Sequence, residues 1–209
     1  MAFDWVAGTA LVVGVGSLYL TYQSTKSAKR AIETSIELYE KQKQDAALAE
    51  EVSKKNQIQS LCFLIENEVT GNIIQMSKLV GFCEFAWNKE LVKFHYNDLG
   101  AEPFVEYVIK NGNKDGFIFT KHSYQVIDKY LLEVSKIDSK LIADLLRLRF
   151  TIEHYNNKFL ISLTNFIQAK PAIDELSKYI NGSKYFITEY QRQSMGIKKY
   201  CTEKAIGLN

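Results

Sequence analysis

The sequence predicts an all-α protein: one membrane-spanning helix at the N-terminus that continues into a cytoplasmic antiparallel helical bundle. Three observations predict it. Trp5 to Tyr22 carries no charged residue. The apolar residues of 57–96 and of 138–168 recur at helical spacing. Proline occurs only twice, at Pro103 and Pro171, so long helices can run without interruption.

The first observation sets the organisation. A helix of about 18 uncharged residues covers roughly 27 Å, near the hydrocarbon thickness of a bilayer. Trp5 stands at one end and Tyr19 and Tyr22 at the other, where amphipathic rings favour an interface. Asp4 is the only charge before the run, whereas Lys26, Lys29 and Arg30 follow it. The positive-inside rule then places the N-terminus outside and the C-terminal domain in the cytoplasm, as a single-pass protein of the inner (plasma) membrane. The head lacks the positive charge that a cleaved signal peptide needs. The expected organisation is an anchor over residues 1–23, a juxtamembrane helix or stalk over 24–56, and a helical bundle domain over 57–209.

The same stretch holds a seam of small residues. Ala7, Ala10, Gly14, Ser17, Thr21, Ser24 and Ala28 are spaced three and four apart, and Ala31 and Ser35 continue the pattern. That spacing marks one helix face. Small side chains let two backbones approach closely, so this face is the expected interface between copies of the chain.

The net charge of +2 and the sparse Lys/Arg pairs give no nucleic-acid footprint. Cys62, Cys83 and Cys201 form no CxxC pair and read as buried apolar residues in a reducing compartment. The residues from Gln23 to about Lys55 are dense in Ala, Glu, Lys and Gln and continue the helix. Ile58, Cys62, Ile65, Val69, Met76, Leu79 and Cys83 then share one face, with Asn72 the polar exception and Gly81 a point where the helix can break. Phe82, Phe85, Trp87, Phe94 and Tyr96 make an aromatic-rich end.

Residues 98–103, DLGAEP, read as a turn, with Pro103 placed to open a helix. FVEYVIK is expected to be a short helix closed at Asn111-Gly112, and NGNKDG is the strongest turn signal in the chain. It lacks the residue order of a phosphate loop. Phe117 to Phe119 form a short apolar link without an evident strand partner.

Thr120 or Ser123 can cap the next helix, with Tyr124, Ile127, Leu131 and Val134 on one side. Asp138 or Ser139 caps the clearest soluble pattern, in which Leu141, Leu145, Leu148, Ile152, Tyr155, Phe159 and Phe166 recur to about Gln168. A short helix is expected over 172–180, closed at Asn181-Gly182, and a last helix over about 183–205.

The search for chemistry yields one constellation. Glu68 and Asn72 lie four apart on one helix, and Glu153 and Asn157 lie four apart on another. Facing each other, they would make a polar layer that fixes helix register or, with Arg147, Arg149 and His154, holds an anion. His95, His122 and His154 lack the spacing that puts two metal ligands on one face. No nucleophile elbow, dinucleotide loop or deaminase pattern is present. The sequence therefore implies no catalytic residue, no metal, no cofactor and no enzyme.

The expected partners are membrane lipid, further copies of the chain and a cytoplasmic protein, with no nucleic acid. By architectural analogy alone, the chain reads as a membrane-perturbing effector of bacterial defence or toxin type whose cytoplasmic domain controls assembly. The alternative is a passive membrane scaffold or tether, with an unrecognised helical enzyme last.

Overall fold

In the computed structural model the described residues are 5–98 and 103–206, and the side chains at 5–7 and 98 lie outside the description. The chain divides into two units, Met1–Ser53 and Lys54–Asn209. Helix α1 (Trp5–Trp87) contributes to both. The strands are β1 (Leu91–Asp98), β2 (Pro103–Ile109) and β3 (Lys114–Ile118). After them come α2 (Gln125–Ile137), α3 (Ser139–His154), a π-helical turn (Tyr155–Phe159), α4 (Leu160–Gln168), α5 (Ile173–Gly182) and α6 (Lys184–Ala205).

In the first unit the described residues are helical, and their large apolar side chains are exposed: Leu11 71%, Leu18 72% and Tyr39 68%. Among the described residues, no helix is long and apolar enough to cross a membrane. The physical reason is that uncharged is not the same as apolar. From Gly8 onward, Thr9, Gly14, Gly16, Ser17, Tyr19, Thr21, Tyr22 and Gln23 dilute the Leu and Val residues. This finding overturns the anchor over residues 1–23, the single-pass topology, and the plasma-membrane placement with its outside N-terminus and cytoplasmic domain. The membrane effector and the membrane tether fall with them.

The second unit is built on a core that α1, α3 and α6 share. From α1 it takes Cys62, Ile65, Val69, Met76, Leu79 and Cys83, the face that the helical period picks out. Leu141, Leu145, Leu148 and Ile152 of α3 and Ile187, Tyr190, Ile197 and Cys201 of α6 meet them in one cluster. Asp138 caps α3 as expected: its carboxylate accepts from the backbone N–H groups of Lys140 (3.1 Å) and Leu141 (3.0 Å), and it also accepts from the Tyr200 hydroxyl.

The unit is not all-α. Three antiparallel strands in the order β1-β2-β3 replace the expected helix at FVEYVIK and the aromatic end of the preceding one. Residues 103–109 are β-branched or aromatic at most positions, and their burial alternates, Val105 and Tyr107 in and Glu106 out. Pro103 opens a strand, a position where its missing N–H costs no ladder bond. Phe117 has its partner after all, opposite Val105. The NGNKDG turn is the β2–β3 hairpin connection: Gly112 takes a left-handed φ of 84°, and its N–H donates to Ile109 O at 2.8 Å.

The helix does not break at Gly81; it runs to Trp87. Its C-terminus is closed by Lys89 at φ 56°, after which Glu90 N–H donates to Phe85 O at 2.8 Å. Buried Phe82 then meets Tyr107 and Phe117 of the sheet, with ring centroids 5.2 and 5.0 Å apart.

Candidate functional site around the His122 segment

Between β3 and α2 the chain crosses the second unit as an irregular segment, Phe119 to Tyr124. His122 within it is 3% exposed. A buried peptide group needs a hydrogen-bond partner, and an irregular segment has no ladder to supply one. Two asparagine side chains take that role. Asn156 Oδ1 accepts from His122 N–H at 2.8 Å, and Asn156 Nδ2 donates to His122 O at 2.8 Å. From α1, Asn72 Oδ1 accepts from Ser123 N–H at 2.9 Å, and Asn72 Nδ2 donates to Ser123 O at 2.7 Å. Each amide thus copies the donor-acceptor pair of a neighbouring strand.

Glu68, one turn from Asn72, serves the start of α2. Its Oε1 accepts from the Ser123 hydroxyl (2.6 Å) and from Val126 N–H (3.0 Å), and its Oε2 accepts from Ile127 N–H (3.1 Å). A carboxylate on the unsatisfied N–H groups of a helix start is favoured by both hydrogen bonding and the helix dipole. Tyr124 makes no side-chain cap of its own, so the cap comes from another helix. Glu68→Ala is expected to destabilise the protein by about 2 kcal/mol, with chemical denaturation as the measurement.

The His122 ring lies in an aromatic box. It stacks on Tyr155 with centroids 4.2 Å apart, and its Nδ1 shares a hydrogen bond with the Tyr190 hydroxyl at 2.5 Å. Its Nε2 is buried without a partner among the described residues. Burial pushes the His122 pKa down to about 4. Burial likewise pushes the Tyr155 and Tyr190 phenols upward. All three groups are therefore neutral at pH 7. Deep in the core, these contacts hold backbone and rings in place.

The expected four-residue layer is half built. Glu68 and Asn72 both reach the His122 segment. Glu153 instead accepts from Arg149 at 2.8 Å, and Arg149 also donates to Asp128 at 2.8 Å on the surface. Asn157 is exposed, and its neighbour Asn156, 6% exposed, occupies the inner position. The π-helical turn causes the change: one extra residue per turn advances the inward face by one position. Below it the face continues as Leu160, Leu163 and Ile167, leaving Phe166 half-buried. Arg147 faces Asp144 at 3.7 Å, and exposed His154 packs on Phe186, so neither joins an anion site with Glu68.

Of the expected interface residues, the Ala7 side chain lies outside the described residues. Ala10, Gly14, Ser17, Thr21, Ser24 and Ala28 are all exposed on α1. The hydroxyls among them turn onto their own helix: Ser17 donates to Gly14 O at 2.9 Å and Thr21 to Ser17 O at 2.8 Å. Ser35 does the same with Ala31 O at 2.7 Å.

Among the described residues no three His, Cys, Asp or Glu side chains cluster as a metal ion would need. Comparison of the chain with protein-family models, with curated proteins and with solved structures finds no match.

Proposed function

We propose that the chain is a non-catalytic assembly protein whose copies associate in water through the helix of the Met1–Ser53 unit. One observation carries this reading. A helix exposing Leu11, Leu18, Ile32 and Tyr39 lies beside a seam of small residues on which the Ser17, Thr21 and Ser35 hydroxyls are already bonded to their own backbone. An isolated helix draws its stability in water mainly from packing an apolar face, and among the described residues of its own unit this one has no second element to pack on. Because the Ser17, Thr21 and Ser35 hydroxyls bond to their own helix, covering the seam at those three positions strips no unpaired donor of water. Ala31 and Ser35 also border a shallow groove walled by Ile32, Ile36 and Tyr39, which a knob from a second helix can fill.

The test is the mass of the full chain by sedimentation equilibrium. The wild type is expected as a multiple of 24.0 kDa. Ala28→Arg combined with Ala31→Arg brings guanidinium groups face to face on the seam and is expected to weaken association by about 100-fold. Glu33→Arg, on the opposite side of the helix, should leave the mass unchanged. A wild-type monomer at about 100 µM, where even a weak specific complex is populated, overturns the reading.

A further inference from the structure

We propose that the outer face of the three-stranded sheet binds a nucleoside monophosphate. The strand register lays out that face in rows. One row is Lys93, Val108 and Lys114; the next is His95, Glu106 and Gly116; the third is Asn97, Phe104 and Ile118. The opposite face carries the buried Val105, Tyr107 and Phe117, so these rows are the ones turned away from the core. Of these residues Lys93, His95, Phe104, Glu106, Val108 and Lys114 line a concavity of about 630 Å³, whose edge also takes in Phe94, Tyr107 and Asp115; the volume is within the size range of small-molecule sites.

Each part of the ligand has a matching group. Phe104 leans over the bare backbone of Gly116: a Cβ at that position would stand 2.6 Å from the ring tip and 2.8 Å from Val105 O. Glycine there lets an aromatic ring lie across the strand, and such a ring is a platform on which a base stacks. Lys93 and Lys114 flank Val108 two strands apart, about 10 Å between their Cα atoms. Neither forms an ion pair or hydrogen bond among the described residues. Two ammonium groups on one row of the sheet face, with no counter-ion among the described residues, fit a phosphate.

Between platform and lysines stand His95 and Glu106, cross-strand neighbours that offer a donor and an acceptor to ribose hydroxyls. The other acid on the wall, Asp115, is already occupied. It accepts from Gly116 N–H at 2.8 Å and from Tyr107 Oη at 3.4 Å, and it meets Lys78 Nζ at 3.5 Å. Its charge is therefore compensated before a phosphate arrives. The order of groups along β2, ring then acid then cationic row, follows the order of base, sugar and phosphate.

The test is calorimetric titration of the full chain with adenosine monophosphate, inorganic phosphate and adenosine in turn. Saturable binding of the monophosphate with Kd below about 1 mM is expected. Phosphate and adenosine alone should each bind at least tenfold more weakly. Lys93→Gln with Lys114→Gln should weaken the monophosphate at least tenfold and flatten its salt dependence, with circular dichroism unchanged. Phe104→Leu should weaken adenosine and the monophosphate but not phosphate. The proposal is overturned by no saturation with the monophosphate, by a double lysine variant that binds like the wild type, or by phosphate alone binding as tightly as the nucleotide. A ten-base RNA that binds more tightly than the monophosphate also overturns it, because the site would then serve a polymer.

Discussion

Replacing Asn156 by alanine is expected to destabilise the protein by about 4 kcal/mol in urea unfolding at pH 7, since two buried backbone groups each lose the partner that the amide supplies. Among the described residues Asn156 supplies the bond to both His122 N–H and His122 O. Neither group can turn to water, because His122 is 3% exposed. The cost of an unmade buried hydrogen bond exceeds the gain of a made one, and here it applies twice. Asn157→Ala removes an exposed side chain of the same type one position on and should change stability by no more than about 0.5 kcal/mol. Equal effects at the two positions would mean that the π-helical turn does not set the inward face.

The second large effect is a loss of stability on mild acidification. The His122 pKa lies at about 4 in the folded protein, below the ordinary histidine value of 6.5. Above pH 6.5 the imidazole is neutral in both states, and the full stability is present. As the pH falls from 6.5 towards 4, the unfolded chain binds a proton that the folded chain refuses, so stability falls. Below about 4 both states are protonated and the loss levels off, at about 3 kcal/mol in total.

Unfolding at pH 5 should therefore show about 2 kcal/mol less stability than at pH 7. The depressed carboxyls act at lower pH. The Gly116 N–H holds Asp115 down, the Tyr200 hydroxyl and the Leu141 and Lys140 N–H groups hold Asp138 down against its burial, and Arg192 holds Glu189 at about 2. Their ordinary values of 3.8 to 4.5 place their contribution mainly below pH 4.5, at the lower edge of the His122 window. His122→Gln should remove the slope between pH 4.5 and 6.5, whatever it does to stability at pH 7. A variant that keeps the wild-type slope would assign the proton to another group.

Much of the helical part is legible in the sequence because its signals are local. The run from Leu141 to Phe159 repeats on one face, and Asp138 stands where a cap is needed. Glu68 and Asn72 are recognisable as polar residues beside an apolar stripe. Their true partner, the backbone of Ser123, is not, because any residue type can supply N–H and C=O. The Asn156 position is hidden for a related reason: HYNNKF gives no sign that an extra residue enters the helix there.

The sheet is missed because each strand looks weak alone and gains its stability from neighbours. Two helix ends are hidden as well. Lys89 and Lys170 take the left-handed position that glycine usually marks. The anchor is the instructive error: absence of charge over Trp5 to Tyr22 suggests lipid, while the glycines, hydroxyls and tyrosines of the same stretch argue against it.

The asparagine clamps and the Glu68 cap join residues 34 to 59 positions apart in the chain. No stretch of consecutive residues shorter than that span contains both halves of any of these bonds. A fragment that keeps the sheet and α2 but lacks the π-helical turn would expose amides that nothing local can saturate. Dissection of the second unit into smaller autonomous pieces is thus blocked by a handful of side-chain amides, and folding must close those long loops before the crossing segment can be dry.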